Sequence, residues 1–203
     1  RLEIVDYLED AGRLNSIAVD SNGYAHTSYN RCNAHCDLIY ATNSPDWVWK
    51  TALLDRSTKR CNSSIAVDSS EKVHIIYCNY SDLMYATNAS GVWEFFNIYS
   101  PQYSVNQTSI SIDSGDNVHI SFDDGFDKIL YATNASGSWE ILTIDEDDET
   151  TSPAIEIDSL DKVHTAYSSC TYEGSSDDDY YDDDSSDDDS YKGADNEDEG
   201  CGC

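Results

Sequence analysis

The sequence predicts an all-β fold, a β-propeller-like array of about four four-stranded blades followed by an acidic C-terminal tail. Three observations carry this expectation. A unit of about 45 residues recurs, opening SIAVDSNGYAHTSY at Ser16, SIAVDSSEKVHIIY at Ser64, SISIDSGDNVHISF at Ser109 and AIEIDSLDKVHTAY at Ala154, with offsets of 48, 45 and 45 residues. Each unit is a series of short β-branched and aromatic runs separated by Asp, Asn, Ser and Gly. No stretch has a helical period of apolar residues. A repeat of this size marks stacked or radial architectures, because one unit cannot bury its own apolar face alone.

The elements follow in order. Residues 1–10, RLEIVDYLED, align with the fourth strand of each later unit and read as a lone outer strand. Strand A is the SIAVD run. The turn after it, Asp20-Ser21-Asn22-Gly23 in the first unit and Asp113-Ser114-Gly115-Asp116 in the third, uses side chains that bond nearby backbone amides. Strand B is the VHIIY run, with two-residue alternation. Strand C is LIYAT from Leu38, LMYAT from Leu83 and ILYAT from Ile129. The turns Asn88-Ala89-Ser90-Gly91 and Asn134-Ala135-Ser136-Gly137 lead to strand D, which opens at Trp49, Trp93 or Trp139. Strands A and B of a fourth unit end near Tyr167. The repeat domain thus spans 1–170, and the tail spans 171–203.

The SIAVDS…VHISY…LxYATNASGxW pattern resembles the secreted β-propeller repeat proteins related to the sialidase and Asp-box group, over roughly residues 1–167. The turn before the tryptophan departs from an Asp-box: Asn134 stands where an Asp is expected, and the Gly137-to-Trp139 spacing is shorter by one. The resemblance implies the fold. The sialidase activity it would also suggest fails on inventory, because the chain has five arginines, Arg1, Arg13, Arg31, Arg56 and Arg60, none at a repeated position to clamp a sugar carboxylate.

The strand count leaves the fourth unit without its last strand and the N-terminus with a strand to spare. Two closures are open. In cis the chain's own N-terminus completes a small four-bladed ring. In trans the N-terminus of the next copy does so, a head-to-tail contact that propagates into a homo-oligomer or fibril.

The formal charge of −29 excludes nucleic acid as a partner, since binding it requires basic patches. Residues 1–170 carry 26 acidic and 10 basic residues, and the tail carries 14 acidic residues and one lysine. No apolar run approaches the roughly 20 residues of a membrane-spanning helix. The start at Arg1 reads as a mature, processed chain. Seven cysteines, Cys32, Cys36, Cys61, Cys78, Cys170, Cys201 and Cys203, have no zinc spacing and read as disulfide candidates. The odd count leaves one thiol free or bonded between chains. Five Asn-X-Ser/Thr sites, at Asn62, Asn79, Asn88, Asn106 and Asn134, read as sites for N-linked glycans. Cysteines with sequons point to a secreted or cell-surface protein.

The tail holds three Asp triplets at a period of five: Asp177, Asp178 and Asp179; Asp182, Asp183 and Asp184; Asp187, Asp188 and Asp189. Clustered carboxylates suit calcium, while the same composition also describes a solvated acidic tail. The EF-hand spacing is absent. The histidines His26, His74, His119 and His164 occupy one equivalent position, as do Asp20, Asp68, Asp113 and Asp158. A catalytic site needs one asymmetric constellation, so repetition in every unit favours turn and interior hydrogen bonding. Tyr40, Tyr85 and Tyr131 lie on strand C and are expected to pack between blades. No P-loop, GxSxG, HExxH or GxGxxG motif occurs. The expectation is therefore a non-enzymatic secreted structural protein, glycosylated and cation-stabilised, that assembles with itself. The alternative is a monomeric carbohydrate-binding propeller, a lectin or adhesin.

Overall fold

The computed structural model describes residues 3–6, 11–32, 35–57, 62–146 and 150–169. It is all-β, with fourteen strands and no helix among the described residues. The first unit is β1 (Arg13–Val19), β2 (Ala25–Cys32), β3 (Cys36–Thr42) and β4 (Lys50–Ser57). The second is β5 (Ser64–Val67), β6 (Val73–Asn79), β7 (Asp82–Thr87) and β8 (Glu94–Tyr99). The third is β9 (Thr108–Ile112), β10 (Val118–Asp123), β11 (Ile129–Thr133) and β12 (Glu140–Asp145). The fourth comprises β13 (Thr150–Ile157) and β14 (Val163–Ser169). Each of the first three is an antiparallel meander of four strands, and β13 pairs antiparallel with β14.

Turn chemistry sets these hairpins. In the A–B turns the first aspartate accepts two backbone N–H groups: Asp20 Oδ1 takes those of Asn22 (3.0 Å) and Tyr24 (2.8 Å). Asp68, Asp113 and Asp158 do the same with the residues two and four further on. At the C–D turns, Asn43, Asn88 and Asn134 accept the first N–H of strand B through Oδ1, at 2.8–2.9 Å. Gly91 and Gly137 close two of these turns at positive φ, a region glycine enters without penalty.

In the second and third units strand B is buried on both faces, so it alternates between two interiors rather than between core and water. Val73, Ile75 and Tyr77 pack towards the first unit, with Leu38 and Tyr40. Ile76 and Cys78 pack towards the third, with Val118, Ile120 and Phe122. The A strands stack in order, β1 on β5, β5 on β9 and β9 on β13, and no contact of that extent joins β13 back to β1.

Residues 3–6 form no strand, yet they do the work of one. Val5 packs on Tyr29, Ile39 and Ala41 of the first unit, as Leu54 of β4 packs on the second. Asp6 accepts the Tyr29 hydroxyl at 2.8 Å, and Asp55 accepts the Tyr77 hydroxyl at 2.8 Å.

Cys32 and Cys36 face each other across β2 and β3 and form a disulfide. Cys78 is also disulfide-bonded. Cys61, Cys170, Cys201 and Cys203 lie outside the described residues, as does the Asp-rich tail with all nine candidate calcium ligands.

Candidate functional site

The repeated Asp and His residues converge in each unit, together with the strand C tyrosine. His26 Nε2 meets Asp20 Oδ2 at 3.2 Å, and its Nδ1 meets the Tyr40 hydroxyl at 2.7 Å. His74 stands 3.1 Å from Asp68, and His119 stands 3.2 Å from Asp113 and 2.6 Å from the Tyr131 hydroxyl. His74 Nδ1 likewise bonds the Tyr85 hydroxyl. A carboxylate only accepts, so Nε2 carries the proton and Nδ1 accepts the tyrosine hydroxyl. The tautomer is set by the partners.

Order Asp, His, hydroxyl has the outline of a hydrolytic triad, but it lacks the chemistry. The hydroxyl belongs to a buried tyrosine. Burial pushes Tyr85 up to about 12, and the Asp68 charge adds to this against a hydrogen bond from Thr87. Such a phenol is no nucleophile at neutral pH. His26, His74 and His119 are all buried. Burial would raise Asp113, but hydrogen bonds from Asn117, His119 and Gly115 outweigh it and hold the carboxyl at about 2. Asp20 is lowered in the same way: burial opposes, and His26, Tyr24 and Asn22 prevail. These are internal braces that tie strand B, strand C and the A–B turn. In the fourth unit His164 keeps Asp158 at 3.0 Å but stands exposed.

A second set of residues joins successive units. The Ser69 N–H and hydroxyl both reach the Asp116 carboxylate, at 2.8 and 2.7 Å. Ser114 does the same to Asp161, at 2.9 and 2.6 Å. Ser21 and Asn22 donate to Glu71. Glu71, Asp116 and Asp161 share one place in their turns, the last residue, at φ of 63°, 62° and 60°. The first unit has Gly23 there. Aromatic rings add a further joint: Trp93 packs edge-on to Tyr40, and Trp139 to Tyr85, each with centroids 5.2 Å apart. Strand C tyrosines thus lie between units.

The sequons differ in access. Asn106 is exposed, whereas Asn62, Asn79, Asn88 and Asn134 are partly buried. The Asn79 amide donates to Asp55 at 3.1 Å. Among the described residues no group of three or more His, Cys, Asp or Glu is placed to hold a metal ion, and no helix is long and apolar enough to cross a membrane. Grooves are shallow and apolar. One, of about 230 Å³, is bounded by Val5, Asp6, Ala11, Gly12, Thr27 and Tyr29, and another, of about 400 Å³, by Tyr131, Leu142, Ile144 and Val163. The first carries Asp6 and Tyr29, which are hydrogen-bonded to each other, and the second has Tyr131 as its one titratable lining residue. Sequence reasoning missed the serine–carboxylate clamps. Their signal was present as an acidic residue closing three of the four A–B turns, but only the stacking shows that its partner sits one repeat earlier.

The comparisons add no family. No protein-family model matches the chain, and no curated protein is similar to it.

Proposed function

We propose that this chain is a non-enzymatic structural protein of the extracellular space, a propeller-like arc of repeats that associates with copies of itself. One observation carries the reading. The strand A residues Ile65 and Val67 pack against the preceding unit, and Ile155 is buried in the fourth. Their equivalents in the first unit, Ile17 and Val19, are 66% and 63% exposed. The first unit therefore presents an inter-unit surface with no unit before it among the described residues, and a second copy offers a matching back.

That back is a weaker mate than the internal ones. Ser16 and Ser109 each accept the N–H of the isoleucine in the next strand A, Ile65 at 3.3 Å and Ile155 at 3.2 Å. At the equivalent place the fourth unit has Ala154, and Glu156 replaces the Ala18, Ala66 and Ser111 of the other units. Gly23 supplies no carboxylate for Ser159 to clamp. Apolar burial alone would hold copies together, so the association is reversible and strengthens with protein concentration. Calcium bound by the tail and glycans on the sequons, Asn106 first, belong to the same proposal.

Light scattering of the purified chain tests it. Particles larger than the 22.6 kDa chain, reduced to that mass by I17D/V19D, are the expected result. A species of chain mass at high concentration, unchanged by the substitutions, refutes self-association. Repetition with EDTA separates a cation-dependent contact from the apolar one.

A further inference from the structure

Two departures of the first unit from the repeat meet at one spot. At the place where Gly91 and Gly137 turn the chain at φ 92° and 89°, two residues before the repeated tryptophan of the unit, the first unit has Trp47 at φ 60°. A bulky side chain in the left-handed region is strained, and such strain persists where surrounding structure holds it. Burial does not explain it, because Trp47 is 57% exposed. The second departure is Gly23, in the place of Glu71, Asp116 and Asp161. A Cβ on Gly23 would lie 3.7 Å from the Trp47 ring, so a longer side chain there would crowd the indole. The ring instead rests beside Tyr24, with centroids 4.6 Å apart and planes at 50°.

The surroundings select the ligand. Lys50 Nζ bonds both Asp46 oxygens at 3.0 Å, so the charged pair next to the indole is neutral as a unit. The chain as a whole, at −29, repels anions. An exposed aromatic face bordered by hydrogen-bonding groups fits a molecule with one apolar face and a polar rim. We infer that Trp47 and Tyr24 form a binding platform for a neutral pyranose sugar, which lays its C–H face on the indole and turns its hydroxyls to Asp46, Lys50 and the A–B turn. This site is independent of the self-association reading and lies on the turns rather than on the faces of the sheets.

The test uses the full chain and its tryptophan fluorescence, titrated with glucose, galactose, mannose, N-acetylglucosamine and their neutral trisaccharides, and with choline as a cationic probe. The decisive variant is Trp47→Gly, which places at this positive-φ position the residue that Gly91 and Gly137 supply in the second and third units. At least one neutral sugar should shift the emission of the native chain, with affinity reduced tenfold or more in Trp47→Gly while the melting temperature holds or rises. Phe126→Ala, at an exposed aromatic of the third unit, should bind as the native chain does. The inference is overturned if no sugar binds at tens of millimolar, if choline alone binds, or if Trp47→Gly binds with native affinity. It is equally overturned if Trp47→Gly changes particle mass without sugar, which would make the platform a contact between copies.

Discussion

Replacing Gly125 by alanine isolates how the third unit holds its neighbouring loop. Gly125 sits at φ 78°, and a Cβ built there falls 1.8 Å from the Ser104 carbonyl oxygen and 2.6 Å from its carbon. An ordinary contact would require the 100–107 segment to move by about 1.5 Å. That segment is fastened by Asp123, which accepts the N–H of Asn106 at 3.0 Å and of Gln107 at 2.9 Å, and by the fully buried Val105. Two charge-assisted bonds at a buried carboxylate are worth about 1.5–3 kcal/mol each. The left-handed backbone costs alanine about 1 kcal/mol more. With both bonds lost, Gly125→Ala should therefore destabilise by about 4–7 kcal/mol. Gly137 provides the control. Its φ is 89° and nothing lies within 4 Å of its Cβ, so Gly137→Ala should lose only about 1 kcal/mol. Urea unfolding of both, with the slope against denaturant compared to confirm a common unfolded state, reads the difference. Losses within about 1 kcal/mol of each other would refute the reasoning, because backbone conformation alone would then account for both.

Three further outcomes are expected. Asp113 is held at about 2 against an ordinary 3.8, so its stabilising contribution is complete above pH 4 and drains away as pH falls towards 2. The urea midpoint should drop over that window, and Asp113→Asn should flatten the drop and cost about 1–2 kcal/mol at pH 7, discounted for the partial exposure of the turn. A double-mutant cycle between Ser114→Ala and Asp161→Ala should show non-additive loss, with faster amide exchange confined to β13 and β14. Additive effects would mean that the clamp does not join the third and fourth units. Substituting Cys32 and Cys36 together by serine should cost no more than about 2 kcal/mol, because the loop they close is short. A larger fall in melting temperature would assign the pair a role beyond loop closure.

How much was legible follows from the kind of signal each feature leaves. Turn aspartates act within four residues of themselves, so Asp20, Asp68, Asp113 and Asp158 announce both the turn and their partners in the local string. The histidines announce a repeated position, and repetition alone argues that they are structural. Their partners do not appear so readily: the bond from His26 to Tyr40 spans fourteen residues and exists only because strand register sets His26 opposite Thr42, two residues from Tyr40. Trp47 illustrates the opposite case. In the string it is an extra tryptophan beside Trp49; only the backbone angle and the exposed ring set it apart.

Taken alone, the amino-acid string determines an all-β chain of repeated four-stranded units, because two-residue alternation and Asp/Asn/Gly turns are short-range physics repeated at a constant period. It also determines the formal charge of −29. Tertiary structure decides which faces meet. Strand B is apolar on both sides, so its alternation cannot say which neighbour each side meets; packing sends Ile75 one way and Ile76 the other. The serine–carboxylate clamps, whose partners lie 47 to 50 residues apart, and the exposure of Ile17, Val19 and Trp47 are likewise products of stacking, since a residue's burial depends on whether a neighbouring unit stands against it.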